Sequence, residues 1–232
     1  MEIRKTLNGY VLIKLDKEND SIKLKNGVEL YLDISFEPEK NATVTGTIWG
    51  MPSHLQYTGR PKDMPWETPM EAKIGDKCII FYLSVINALK PSEKRYIIEG
   101  DDRYILIQYQ YLYCLIRDGK IIPINGYVLI EQIEDPSITS ERERLSKLNM
   151  ELVITEKRNS REVTYGRVKY VGTPNRQYVD SEHTDEGVDV GVGDVVLIRR
   201  TNDIPLQYDL HQRVNEGKPL LRVQRRNLFA KL

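Results

Sequence analysis

Residues 114–130 read CLIRDGKIIPINGYVLI, and this stretch decides the fold. Its last six letters, Asn125–Ile130, repeat Asn8–Ile13 of TLNGYVLI (residues 6–13), 117 positions earlier. Further landmarks recur in the same order. VTGTI at 44–48 matches TYGRV at 164–168, which sets Gly46 on Gly166, 120 apart. KIGDKCIIFY at 73–82 matches GVGDVVLI at 191–198, with Gly75 and Gly193 118 apart. Residues 104–116 lie over 220–232 without a gap, placing Gln108 on Gln224, Leu112 on Leu228 and Tyr113 on Phe229. Self-similarity at one period is the mark of duplicated units. Two copies of about 115 residues each match the usual size of a domain and exclude a longer repeat array. The expected domains are 1–117 and 118–232.

Each copy has strand chemistry. GYVLIKL, TVTGTIWG, KCIIFYL and RYILIQYQYLYCLI in the first copy are short runs rich in Val, Ile and Tyr, bounded by Gly, Pro, Asn and Asp. VTYGRVKYVG, VDVGVGDVVLIRR and PLLRVQ continue the pattern in the second. Such runs predict an all-β chain, with a small barrel or sandwich in each half. At the seam, CLIR and KIIP flank Asp118-Gly119, a strong hairpin signal. Leu112–Arg117 is therefore expected to turn and pair with Lys120–Ile124, bringing Leu115 and Ile116 against Ile121 and Ile122. Long loops are expected over 15–27, 50–72 and 131–149, and loops of that length are usually functional or disordered. SERERLSKL at 140–148 reads either as a helix with a Ser140–Glu143 capping box or as a polar loop.

The composition narrows the function classes. Lys plus Arg and Asp plus Glu both number 34, so the net charge is zero. Bulk charge gives no reason to expect a nucleic-acid or membrane partner. No apolar run reaches the ~20 residues of a membrane span, and MEIRKTLNG lacks the apolar stretch of a secretory signal. Cys78 and Cys114 sit in apolar runs and read as buried thiols in a reducing cytoplasm, with a disulfide left open. His54, His183 and His211 have no Cys or His at ligand spacing, so neither a metal nor a cofactor is expected. The glycines of 187–193 precede valines rather than a helix, so they do not form a phosphate loop. No nucleophile elbow is present. An enzyme is not expected.

Taken in order, these landmarks resemble the GroES-type co-chaperonins. The resemblance covers nearly the whole chain, twice. It rests on MEIRKTLNGYVLIK and IIPINGYVLIE, on Gly46-Thr47-Ile48 and Gly166-Arg167-Val168, on the two Gly-Asp turns, and on the closing runs RYILIQYQYLYCLI and PLLRVQRRNLFAKL. It implies two tandem GroES-like barrels joined by a short hairpin. It also implies a cytoplasmic chain, in the host cytoplasm for a phage-encoded member, that caps a GroEL-type chaperonin in an ATP-dependent manner. In the family a long loop folds onto the chaperonin through a hydrophobic tripeptide. Coupling folding to binding keeps such contacts reversible, and many arms add by avidity. Here the tripeptide maps to Val28-Glu29-Leu30 after Gly27, and to Met150-Glu151-Leu152 or Leu152-Val153-Ile154. The alternative is that 28–32 and 150–154 are simply strands. Family rings also pair the last strand of one subunit with the first of the next. That role would fall to Ile3 within 1–6, and to Leu228 and Phe229 within 227–232, in a head-to-tail homo-oligomer. The competing expectation is a structural or assembly protein, such as a phage component, that uses the duplicated barrel without a chaperonin.

Overall fold

The computed structural model describes residues 5–17, 21–23, 29–31, 42–55, 69–148, 163–174, 189–199, 204–207, 214–215 and 218–232. The first repeat supplies β1 (Tyr10–Leu15), β2 (Ser21–Lys23), β3 (Glu29–Tyr31), β4 (Thr45–Gly50), β5 (Lys77–Ile80), α1 (Tyr82–Leu89), β6 (Tyr96–Glu99), β7 (Asp102–Gln108) and β8 (Leu112–Arg117). The second supplies β9 (Lys120–Pro123), β10 (Tyr127–Ile133), α2 (Pro136–Ser146), β11 (Val163–Val171), β12 (Val195–Arg199), β13 (Ile204–Pro205), β14 (Leu221–Gln224) and β15 (Leu228–Lys231). The chain is mostly β, as expected.

One sheet runs β6-β7-β1-β4-β5-β8-β9 and the other β13-β14-β10-β11-β12-β15. The order β7-β1-β4-β5-β8 recurs as β14-β10-β11-β12-β15. The repeats agree below the level of topology too. The β1–β4 ladder slips between Leu12 and Ile13, and β10–β11 slips between Leu129 and Ile130, 117 residues on. The β5–β8 ladder slips between Ile79 and Ile80, and β12–β15 between Leu197 and Ile198, 118 on. A single 3₁₀ turn, Tyr109–Tyr111 or Arg225–Asn227, breaks each closing run into two strands.

The shared sequence landmarks have physical causes. Gly46 and Gly166 let neighbouring residues approach closely: a Cβ at Gly46 would lie 2.6 Å from Ile13 Cγ2 and Lys14 O, and one at Gly166 would lie 2.6 Å from Ile130 Cδ1. The aspartate of each Gly-Asp turn ties that turn shut. Asp76 Oδ2 accepts from Lys73 N at 2.7 Å, and Asp194 Oδ2 from Gly191 N at 2.6 Å.

Three expectations are corrected. KCIIFYL is strand only to Ile80; α1 follows, and its face of Ser84, Val85 and Ala88 is buried on the first core. That i, i+1, i+4 spacing is helical, and Pro91 lies just beyond its C-cap. The stretch 131–148 is not one loop, and over 140–146 the helical of the two readings of SERERLSKL is the one that forms. It holds the end of β10 and then α2, which is capped by Asp135 accepting from Ser137 N, with Pro136 in the first turn. Ser140 therefore lies inside this helix and is not its cap; Asp135 followed by a proline, whose fixed φ suits the first helical position, starts it earlier. Finally, β2 and β3 form a small two-stranded sheet of their own, inside and just after the loop expected over 15–27.

Candidate assembly interface

The hairpin at the seam forms as expected. Asp118 and Gly119 take φ of 51° and 73°, the positive pair that a tight two-residue turn requires. Leu115 faces Ile122 and Ile116 faces Ile121 across the β8–β9 ladder. The first strand of the second repeat is thus the edge strand of the first repeat's sheet.

The strand leads directly into a plug. Ile124 is 0 % exposed and belongs to the core of the first repeat, with Tyr109, Leu112 and Leu115. Its N–H donates to Tyr113 O at 3.1 Å. Asn125, fully buried, donates Nδ2 to Tyr109 O and Leu112 O, each at 2.9 Å. Tyr109 opens the 3₁₀ turn, where its carbonyl also accepts from Leu112 N, and Leu112 follows the turn; a buried acceptor that loses a donor is costly. Asn125 and Gly126 take φ of 56° and 74°. The motif Ile-Asn-Gly therefore combines an apolar plug, a carbonyl clamp and a left-handed turn.

A second layer seals the seam. Val44, Ile79, Tyr113 and Cys114 of the first repeat pack with Leu129, Leu206 and Leu220 of the second. Tyr113 meets Tyr127 edge-on at 5.1 Å. Polar groups lie beside it, most of them bonded within their own repeat. Arg225 is buried; its guanidinium bonds Asp189 at 2.9 Å and the carbonyls of Gly126 and Gly172. Arg117 holds Asp76 by Nε to Oδ1 at 2.8 Å and Nη2 to Oδ2 at 2.5 Å. It also donates to Glu71 O. Glu71 crosses the seam, its Oε1 accepting from Thr173 Oγ1 at 2.6 Å. Burial pushes the Glu71 carboxyl above its ordinary value, offset only in part by Thr173, Arg225 and Arg117. For Asp76 burial acts the same way, but the bonds from Arg117 and Lys73 N outweigh it and the net shift is downward.

Several of the equivalent residues elsewhere in the chain are in the open, although Leu12, in Leu129's place, is buried. Leu7 occupies Ile124's place and is 77 % exposed; Asn8 occupies Asn125's, is exposed, and already holds φ of 53°. At the other side Phe229, in Tyr113's place, is 51 % exposed against 5 %. Leu228 and Ala230, in the places of Leu112 and Cys114, are half-buried and exposed, whereas those two are fully buried.

The sequence-predicted contact residues thus divide. Leu115, Ile116, Ile121 and Ile122 come together; Leu228 and Phe229 lie in β15, an outer strand of the second sheet. Ile3, Gly27, Val28, Met150, Glu151, Leu152, Val153 and Ile154 lie outside the described residues. Glu29 and Leu30 lie in β3, opposite Lys23 and Ile22, so this part of the tripeptide is strand. Sequence reading missed Ile124 and Asn125 as contact residues, although they sit inside the repeated motif. Their signal was the repeat itself, since a turn needs Asn-Gly but not a preceding large apolar residue.

The cysteines pack on opposite faces of one ladder. Ile79 pairs with Cys114 and Cys78 with Leu115, and directly paired residues share a face. Cys78 points into the first core and Cys114 into the seam, which rules out a bond between them in this fold. Burial pushes the Cys114 thiol up to about 12 and Cys78 well above its ordinary value. Among the described residues no group of three or more His, Cys, Asp and Glu could hold a metal ion, and no helix is long and apolar enough to cross a membrane. No protein-family model matches the chain, and no curated protein matches it.

Proposed function

We propose that this chain is a co-chaperonin of the GroES type that works as a head-to-tail homo-oligomer capping a GroEL-type chaperonin. The observation that supports the oligomer is the pair of equivalent surfaces: Ile124 and Asn125 sealed into the neighbouring repeat, Leu7 and Asn8 exposed in the same turn. A second copy that offers Leu7 and Asn8 to the β15 side repeats the seam. Asn8 Nδ2 then meets Arg225 O and Leu228 O, and Leu7 N meets Phe229 O. Burying the leucine alone contributes about 1.5–3 kcal/mol. A contact of this heterologous kind closes into a ring where the rotation allows.

The capping role rests on the resemblance of the repeated landmarks. Its test is limited proteolysis of 15–45 and 131–160, alone and with chaperonin plus adenine nucleotide. Protection that needs both chaperonin and nucleotide supports the role; unchanged cleavage removes it. A second reading is an assembly protein with no chaperonin partner. It is favoured by the unlike structures that follow the equivalent strands β1 and β10, a β2–β3 pair after one and α2 after the other. Oligomers that ignore chaperonin under all nucleotide conditions select it.

A further inference from the structure

The inner seam and the proposed contact between copies use equivalent positions with different chemistry, and any selectivity drawn from that difference rests on the proposed contact. At the seam the first repeat presents Phe81 and Tyr113, with ring centres 6.2 Å apart. The second repeat brings Tyr127 and Arg222. The guanidinium lies 4.0 Å from the centre of Tyr113 and 6.0 Å from that of Phe81. Here the cation comes from the incoming repeat.

One repeat later the arrangement is inverted. Ile80 pairs with Leu112 as Ile198 pairs with Leu228, so Arg199 stands in Phe81's place and Phe229 in Tyr113's. Arg199 lies over Phe229 at 5.4 Å. Leu12 pairs with Leu106 as Leu129 pairs with Arg222, so Leu106 stands in Arg222's place on the incoming side. The aromatic residue equivalent to Tyr127 is Tyr10. Each junction therefore has one arginine on its ring, supplied from opposite sides.

We propose that Arg199 makes the Phe229 face selective for a second copy of this chain presented through its first repeat, by the Tyr10 and Leu106 side. A second repeat arriving there would bring Arg222 onto a ring already covered by Arg199. Two guanidinium groups on one phenyl ring repel, and an aromatic face attracts a cation through a limited quadrupole. Exchange of second repeats between chains is thereby disfavoured, and first and second repeats alternate along the assembly. With Arg199 in place of the Phe81 ring, the junction between copies is also less apolar than the seam. It opens on dilution and in response to salt under conditions where the seam stays closed.

Sedimentation velocity of the full chain over a dilution series, at low and high salt, tests this. Leu106→Arg is expected to raise the dissociation constant about tenfold, a change worth about 1.4 kcal/mol. Arg199→Phe is expected to lower it and flatten its salt dependence. The double variant Leu106→Arg/Arg199→Phe recreates the seam's own pairing and is expected to restore the wild-type value. Urea midpoints report folding, and Arg199, being exposed, decides alone if Leu106→Arg does not fold. Wild-type assembly left unchanged by Arg199→Phe, or a double variant no tighter than Leu106→Arg, overturns the selective role while head-to-tail assembly stands. A wild-type chain that stays monomeric throughout overturns both.

Discussion

Asn125 shows how much one side chain settles. Its amide satisfies two backbone carbonyls of the preceding repeat while its own backbone makes the turn that starts the next. Asn125→Ala leaves both carbonyls without that donor in a dry site, and a loss of about 1–3 kcal/mol is expected from urea unfolding. Asn8→Ala, at the exposed equivalent with the same positive φ, is expected to cost the isolated chain only the backbone strain of alanine in that turn, and so less than Asn125→Ala. Ile124→Ala empties a fully buried site and is expected to lose about 2–5 kcal/mol.

Glu71 and Asp76 set opposite pH slopes. The raised carboxyl of Glu71 penalises the folded state once charged, so that penalty is relieved as pH falls through its elevated value. The depressed carboxyl of Asp76 contributes stability above the ordinary aspartate value of about 3.9, which is lost as pH falls through its folded one. The urea midpoint is therefore expected to rise first on mild acidification and then to fall. Glu71→Gln should remove the rise and keep the fall. A midpoint that declines steadily from neutrality in the wild type contradicts this ordering.

At the level of elements, the turns were the most legible parts of the sequence. Asn-Gly and Asp-Gly favour positive φ at both positions, and among the described residues Asn8-Gly9, Asp118-Gly119 and Asn125-Gly126 all take it; Asn26-Gly27 lies outside them. Gly119 has no atom within 4 Å of a built Cβ, so replacement there is opposed by conformation and not by crowding. Gly119→Val is expected to lower the melting temperature; a melting temperature equal to wild type would show that the β8–β9 turn is not needed to set the register. The strands were legible because Val, Ile and Tyr cluster in short runs bounded by Gly, Pro, Asn and Asp. The helices were less so. Helix α1 is as apolar as the strand before it, and only the buried trio Ser84, Val85 and Ala88 separates the two readings. Helix α2 has no buried residue among Pro136–Ser146, so no apolar stripe announced it; Asp135-Pro136 did, at a position read as loop.

At the scale of the molecule, the repeat was legible and the seam only in part. A duplicated sequence reports what two copies share. It does not report that Val44, Ile79 and Cys114 face outward from one repeat into the other, because their strands are apolar on both faces. Tyr113 and Phe229 look interchangeable in sequence, yet one is buried and the other half open. Since a joint core spans both repeats, the chain is expected to unfold as one cooperative unit. Thiol labelling in moderate urea checks this. Cys78 and Cys114 should react at one rate, set by global unfolding; faster reaction of Cys114 would mean that the seam opens by itself.

The central claim is that the packing inside the chain is repeated between chains, with Leu7 as the plug. The mass of the native assembly, measured for the wild type and for Leu7→Asp, tests it most directly. The expected result is a wild-type oligomer and a Leu7→Asp monomer whose urea midpoint equals that of the wild type diluted until it is monomeric. A wild-type chain that remains monomeric, or a Leu7→Asp chain that assembles as the wild type does, would contradict it.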